Sequence, residues 1–433
     1  TGAIVTAPAI NQLSPAMHFS QFGNKFTRQT GISRLMEDMG RGLRTPGTVM
    51  LGGGNPAKIP EMDDYFQQLL AEMQQSGALT EALCNYDGPR GKDALLESLA
   101  ITLKESHGWD ISARNIALTN GSQSAFFYLF NLFAGKQVDG STRKVLFPLT
   151  PEYLGYADAG LEEDLFVAAR PTISRLPEGQ FKYHVDMENL VVGDDIGLMC
   201  VSRPTNPTGN VITDEELNGL DQLARKHNIP LLIDNAYGLP FPGIIFTEAR
   251  ALWNPNIILC MSLSKLGLPG ARCGIIIANE ETIQALSNMN GIISLAPGSI
   301  GPAIAHEMLC RKELLRLSEQ VIRPYYKNKV AETIALIRRY IPEERCLIHK
   351  PEGAIFLWLW FHKLPVSTEE LYHRLKARGV LMVPGHFFFP GLAGEWQHTR
   401  QCMRMNYVPD NQEIERAIVI LAEELDRVFS AEN

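Results

Sequence analysis

From Asn115 to Asn279 the chain alternates between two textures. Short, β-rich apolar runs recur at Ile116–Thr119, Val145–Phe147, Leu165–Ala168, Leu198–Val201, Pro230–Asp234, Ile257–Met261 and Gly274–Ala278. Helical patterns separate several of them, the clearest being Thr213–His227. It opens with Thr213, Asp214, Glu215 and Glu216, a capping box in which the threonine and the last glutamate satisfy each other's free backbone donors. Buried strands interleaved with helices imply a mostly parallel, seven-stranded sheet covered on both faces. In such α/β sheets ligands bind at the carboxyl ends of the strands.

After about Pro324 the pattern changes to helical segments around one β-rich run, Ala354–Phe361, and ends in the amphipathic stretch Asn411–Phe429. Ahead of Pro60, Gly31–Met39 is patterned as a helix and Leu51-Gly52-Gly53-Gly54-Asn55-Pro56 as a turn. A chain of 433 residues exceeds the size at which one core keeps growing. The expected organisation is a large domain over 61–324 and a smaller α+β domain made of 17–60 and 325–433. Residues 1–16 lack the basic and apolar blocks of a secretory signal and are expected to be a cloning-derived leader ahead of a natural start at Met17.

Composition narrows the partners. A formal charge of -8 and a pI near 5.8 give no general pull toward nucleic acid or anionic membrane. No apolar run approaches the roughly 18 residues that span a bilayer. Seven cysteines, an odd number without a CxxC pair, read as reduced thiols in a cytoplasmic protein. Histidines such as His184, His227 and His386 show no metal-ligand spacing, so no metal is expected. His386 could border a site through Pro384-Gly385-His386-Phe387.

Candidate chemistry centres on Ser262-Leu263-Ser264-Lys265-Leu266-Gly267-Leu268-Pro269-Gly270-Ala271-Arg272. A lysine attacks an aldehyde usefully only when its pKa falls below the free value of about 10.4, which burial and nearby positive charge achieve. Upstream lie Asn206-Pro207-Thr208-Gly209 and Leu231-Leu232-Ile233-Asp234-Asn235-Ala236-Tyr237. By itself the NPTG segment is only a turn. Together the three segments, in this order, resemble the class I/II aminotransferases that carry pyridoxal 5'-phosphate on the aspartate aminotransferase fold (PLP fold type I). The resemblance runs from Phe19 to the end.

It implies a role for each matching residue. Lys265 holds the cofactor aldehyde and, once released, moves a proton at the substrate α-carbon. Asp234 faces the pyridine nitrogen, while Tyr237 and Asn206 donate to the phenolic oxygen. Tyr153, in Pro151-Glu152-Tyr153, stacks on the ring. Gly121, Ser122 and Gln123, at the start of a helix after Ile116–Thr119, cradle the phosphate with Ser262, Ser264 and Arg272. Arg404 grips the substrate carboxylate, with Gly54 and Asn206 beside it. Tyr86, in Tyr86-Asp87-Gly88-Pro89-Arg90-Gly91, reaches the phosphate of a neighbouring subunit, which implies a homodimer with shared sites. One departure is Ala354-Ile355, where family members often carry glycine and an aromatic.

Members acting on aspartate use a second arginine after the one matched by Arg272, yet Cys273 to Cys310 holds neither arginine nor lysine. Asn290-Gly291-Ile292-Ile293-Ser294-Leu295-Ala296-Pro297 is expected to supply an aliphatic wall instead, favouring a valine-sized side chain. The expected reaction is a ping-pong exchange in which valine gives 2-oxoisovalerate and pyruvate becomes alanine. An aminotransferase of other aliphatic or aromatic amino acids, or a carbon-sulfur lyase with the same cofactor contacts, is the alternative. A nicotinamide dehydrogenase is disfavoured, because Gly52-Gly53-Gly54 lacks GxGxxG spacing.

Overall fold

The computed structural model describes residues 18–431, so the expected leader and Met17 lie outside the described residues. Its largest sheet has eight strands. Seven correspond to the runs read from the sequence: Ile116–Thr119, Thr142–Phe147, Phe166–Ala168, Ile196–Ser202, Leu231–Asp234, Ile257–Ser262 and Gly274–Ile277. The eighth, Gly135–Lys136, is a two-residue strand folded back on Thr142–Phe147.

Alternation along the strands builds two cores. Leu231, Ile233, Ile257 and Leu259 pack into one hydrophobic cluster, while Leu232, Ile258 and Cys260 pack into the other. Successive side chains leave a strand on opposite faces, so a strand covered by helices on both sides must be apolar throughout. Accordingly, every residue of Ile196–Ser202, Leu231–Asp234 and Ile257–Ser262 is buried.

Pairing decides where the strands end. Gly274–Ile277 runs antiparallel to both of its neighbours, Ile257–Ser262 and Ile116–Thr119, so those two point the same way. Leu231–Asp234 pairs in parallel with Ile257–Ser262 and with Ile196–Ser202. Ser202 lies opposite Asp234, Ser262 opposite Gly274, and Gly274 opposite Thr119. One edge of the sheet therefore collects Thr119, Ser202, Asp234 and Ser262, and the loops that leave them are brought together.

A second sheet has six strands, in the order Val383–Pro384, Cys402–Asn406, Phe356–Trp360, Leu347–His349, Gln180–His184 and Thr172–Leu176. The last two form a hairpin from the middle of the chain, turning through Glu178 and Gly179 at positive φ. Lys182 on this hairpin buries its amine against Glu352 and donates to Asn210 Oδ1 at 2.6 Å. Val49–Met50 pairs in parallel with Val380–Leu381, joining the amino-terminal segment to the last third of the chain. The expected helix near Gly31 spans Gly31–Gly42 and is closed by reciprocal bonds between Thr30 and Ser33. Thr213 and Glu216 make the expected capping box. The terminal helix Asn411–Ser430 buries Ile414, Ile418, Leu421 and Leu425. No helix among the described residues is long and apolar enough to cross a membrane.

Candidate active site

The loops leaving that edge enclose a cleft of about 570 Å³. Lys265 stands on the short helical turn Ser264–Leu266 after Ile257–Ser262, and Ser262 Oγ accepts from the Ser264 N–H at 3.0 Å to set the turn. Its Nζ donates to Gly54 O at 2.5 Å and lies 5.4 Å from the centre of the Tyr237 ring. Burial, reinforced by the positive charges of Arg404 and Arg272, pulls the amine down to about 8, with Asp234 opposing. At pH 7 roughly a tenth of such an amine is neutral and nucleophilic.

Asp234 closes its strand with its carboxyl buried. Tyr156 donates its phenolic hydrogen to Oδ2 at 2.5 Å and the Ala236 N–H donates to Oδ1 at 3.1 Å. Burial raises the carboxyl to about 6, and those two hydrogen bonds hold it below what burial alone would give. A carboxylate so placed is ready to meet a cationic ring nitrogen.

Around Thr119 the backbone makes an anion cradle. Gly121 has φ 85°, and a Cβ there would come within 2.3 Å of Arg272 Nη2, so only glycine lets the guanidinium lie against the start of helix Ser122–Phe133. No side chain caps that helix, and its first amides, its dipole and Arg272 all favour a phosphate. Arg272 itself takes φ 47° at the end of its short turn. The Ser122 hydroxyl donates to Met261 O at 3.3 Å, while the Gln123 side chain turns away to Gly155 O.

Arg404 reaches the cleft from the second sheet. It donates from Nη1 to Asn206 Oδ1 and from Nη2 to Gly52 O, both at 2.7 Å. Its guanidinium lies 4.2 Å from the Phe356 ring and 5.0 Å from the Phe388 ring, yet the residue is only 5% exposed and Nε has no partner. Burial lowers its pKa to about 10, so it remains charged at neutral pH. A buried cation bonded only to neutral oxygens is an open place for a carboxylate.

Most residues singled out in the sequence meet here. Gly54, Ser122, Gln123, Tyr153, Asn206, Asp234, Tyr237, Ser262, Ser264, Lys265, Arg272 and Arg404 line one cleft, with Gly121 packed beneath Arg272. Tyr86 lies outside it and is 84% exposed. The stretch 290–297 also stays out: Ile292, Ile293 and Leu295 are exposed, and none lines this chain's own cleft. His386 borders a different depression, beside Glu369 and Arg400. Among residues the sequence pattern did not single out, Tyr156 holds Asp234, Gly52 O holds Arg404, and Met36, Met39 and Leu43 contribute an apolar wall. Tyr156 was legible only as a second tyrosine three residues after Tyr153.

The fold and this cleft define a class, and the comparison with known families agrees: residues 63–421 match the model for aminotransferase class I and II. The chain belongs to that family, and is a pyridoxal-phosphate-dependent aminotransferase of fold type I. Within the family it is 72% identical to the valine--pyruvate aminotransferase of Escherichia coli (strain K12), over 96% of this chain and 99% of that protein. The crystal structure of valine-pyruvate aminotransferase from Salmonella typhimurium LT2 superposes with a TM-score of 0.87 at 70% identity, covering 92% of this chain and all of that one. A putative amino-acid aminotransferase from Psychrobacter arcticum 273-4 superposes at 0.93 with 44% identity, covering 96% of this chain and all of that one.

Proposed function

We propose that the protein exchanges the amino group between L-valine and pyruvate, giving 2-oxoisovalerate and L-alanine in two half-reactions at one site. The observation that carries this reading is the 72% identity with the Escherichia coli valine--pyruvate aminotransferase across nearly the whole of both chains. The cofactor, when bound, supplies an aldehyde for an amine and an electron-poor ring that takes up the electrons of the substrate Cα–H bond. Everything else is the work of side chains.

Lys265 is the attachment point and, once displaced, removes and returns the α-proton, for which a pKa near 8 is suitable. Asp234 keeps the pyridine nitrogen protonated, with Tyr156 holding the carboxylate in place. Tyr237 and the amide nitrogen of Asn206 donate to the phenolic oxygen, and Tyr153 covers the ring. Gly121, Ser122, Gln123, Ser262, Ser264 and Arg272 hold the phosphate. Arg404, fixed by Asn206 and Gly52 O, binds the carboxylate common to all four substrates, with the Gly54 backbone alongside.

The partner is a second copy of the chain. Asn290 donates to Pro89 O at 2.8 Å, tying the loop of Tyr86 to the helix end that carries Ile292, Ile293 and Leu295. These side chains and Leu83 are exposed, an apolar surface of the kind a subunit contact covers. In a homodimer Tyr86 and the 290–297 stretch would serve the neighbouring cleft. We further propose a cytoplasmic location, and a division into a cofactor domain over 61–324 and a smaller domain of 17–60 with 325–433. The pairing of Val49–Met50 with Val380–Leu381 supports joining 17–60 to 325–433, while the hairpin Thr172–His184 crosses that division to pair with Leu347–His349.

Stepwise addition of substrates to the cofactor-loaded protein tests the reaction. L-valine should bleach the visible band while releasing one equivalent of 2-oxoisovalerate, and pyruvate should restore it with one equivalent of alanine. No change with valine overturns the donor assignment. Equal turnover of aspartate and valine overturns the aliphatic preference.

A further inference from the structure

Five carboxyl groups among the described residues are more than nine-tenths buried: Glu152, Asp221, Asp234, Glu352 and Glu424. Three have cations beside them. Asp221 meets Arg225 at 2.9 Å, Glu352 meets Lys182 and Lys350, and Glu424 meets Arg378 at 3.1 Å and Arg427 at 2.6 Å. Glu152 and Asp234 have no such ion pair, and they are neighbours. Glu152 Oε1 accepts from the Ser202 N–H at 2.9 Å, and its Oε2 lies 2.5 Å from the Ser202 hydroxyl. Ser202 is the register partner of Asp234 on the adjacent parallel strand, where strands lie about 4.8 Å apart.

Two neighbouring buried carboxyl groups do not both ionise readily. The negative charge goes where it is better held. Asp234 has a phenolic O–H, a backbone N–H and the nearby amine of Lys265. Glu152 has the Ser202 N–H, a backbone contact from Tyr153 and the Ser202 hydroxyl, which can accept as well as donate, but no amine beside it. The groups facing Glu152 offer no cation: Asp234 from the next strand, Cys200 two residues before Ser202, and the Tyr156 phenol and Tyr153 backbone from its own segment.

We infer that Glu152 is a neutral carboxylic acid in the working enzyme, donating its proton to Ser202 Oγ, and that it thereby reserves the pair's single negative charge for Asp234. This rests on the reading of Asp234 as the partner of the pyridine nitrogen. Glu152 acts through Asp234 and touches neither cofactor nor substrate, so it is a positioning residue. Its backbone N–H donates to Phe388 O at 2.8 Å, which anchors the segment that carries Tyr153. Burial, with Asp234 nearby, pushes the Glu152 carboxyl up to about 8. On the alkaline side its ionisation adds a second negative charge beside the first.

Infrared spectroscopy of the loaded wild-type enzyme reads this proton directly. At pH 7 the carbonyl band of a protonated carboxylic acid should be present and should move when glutamate, not aspartate, is carbon-13 labelled, because the other buried glutamates are ion-paired. A labelled wild-type protein without that band at pH 7 overturns the inference, and this measurement requires no substitution. Glu152→Gln should lose the band and should remove one ionisation from the alkaline side of the visible-absorbance titration. An unchanged number of ionisations with unchanged midpoints also overturns it. Should the role of Asp234 itself be wrong, Asp234→Asn would retain the native visible spectrum and activity whatever the infrared band does, so the two failures are distinguishable.

Discussion

Tyr156 donates its phenolic hydrogen to Asp234 Oδ2 across 2.5 Å, from a short helical turn that starts just after Tyr153. One turn of chain thus carries both Tyr153, proposed to cover the cofactor ring, and the tyrosine that holds Asp234. Tyr156→Phe removes the donor and leaves the packing. A hydrogen bond to a charged group is worth about 1.5–3 kcal/mol, so cofactor affinity should fall roughly ten- to a hundredfold. Equilibrium dialysis of the loaded variant measures it, and wild-type affinity would show that the bond is incidental.

Asp234 should cost the cofactor-free protein stability at neutral pH. Its folded pKa, about 6, lies above its ordinary 3.8, so its contribution is most favourable below pH 4 and is lost as pH rises through 6. About two pKa units correspond to roughly 3 kcal/mol. Asp234→Asn should therefore melt higher than wild type at pH 7 and near wild type at pH 4, both without cofactor, while losing transamination. A lower melting temperature at pH 7 would contradict this.

Arg404→Lys keeps a positive charge and gives up the planar fork that meets Asn206 and Gly52. A lysine cannot make two parallel bonds to a carboxylate. The expected loss is roughly 3 kcal/mol in kcat/KM for valine and for pyruvate alike, about a hundredfold. A loss confined to one of the two substrates would place the shared carboxylate elsewhere.

Ala354 occupies φ 59°, the left-handed region that costs a residue with a Cβ about 1–2 kcal/mol. Its N–H donates to Ile244 O at 3.0 Å and its carbonyl accepts from Tyr407 at 2.5 Å, which fixes that backbone. Ala354→Gly should raise stability by about 1 kcal/mol, after allowance for the added freedom of the unfolded chain. Urea denaturation of the two proteins checks the sign.

Ile292, 86% exposed, should lie in the contact between copies. Ile292→Asp places a charge where an apolar surface is covered, so sedimentation should show monomer and activity should fall with it. A fully active dimer of this variant would remove the proposed contact from this face.

The large sheet was legible because strands covered on both faces must be apolar throughout, as Leu231–Ile233 and Ile257–Met261 are. The cleft was legible because its residues sit in ordered local segments, most of them at or just after a strand end, with Arg404 inside the strand Cys402–Asn406. What escaped depends on pairing between distant parts of the chain. Tyr156 and Glu152 gain meaning only when the segment 151–156 folds against Ser202 and Asp234. Gly52, Met36 and Met39 enter because the amino-terminal segment packs beside Arg404. The exposure of Ile292, Ile293 and Leu295 arises because the helix Glu280–Ile293 ends at the surface of its own subunit, a fact no local pattern encodes.

The hairpin Thr172–His184 carries a practical consequence for anyone dissecting this enzyme. A fragment cut at residue 325 would bring only four of the six strands of its sheet, leaving an open ladder along Leu347–His349 and stranding Glu352 without the ammonium of Lys182. Grafting that carboxyl-terminal third onto a relative would meet the same obstacle unless the hairpin travelled with it.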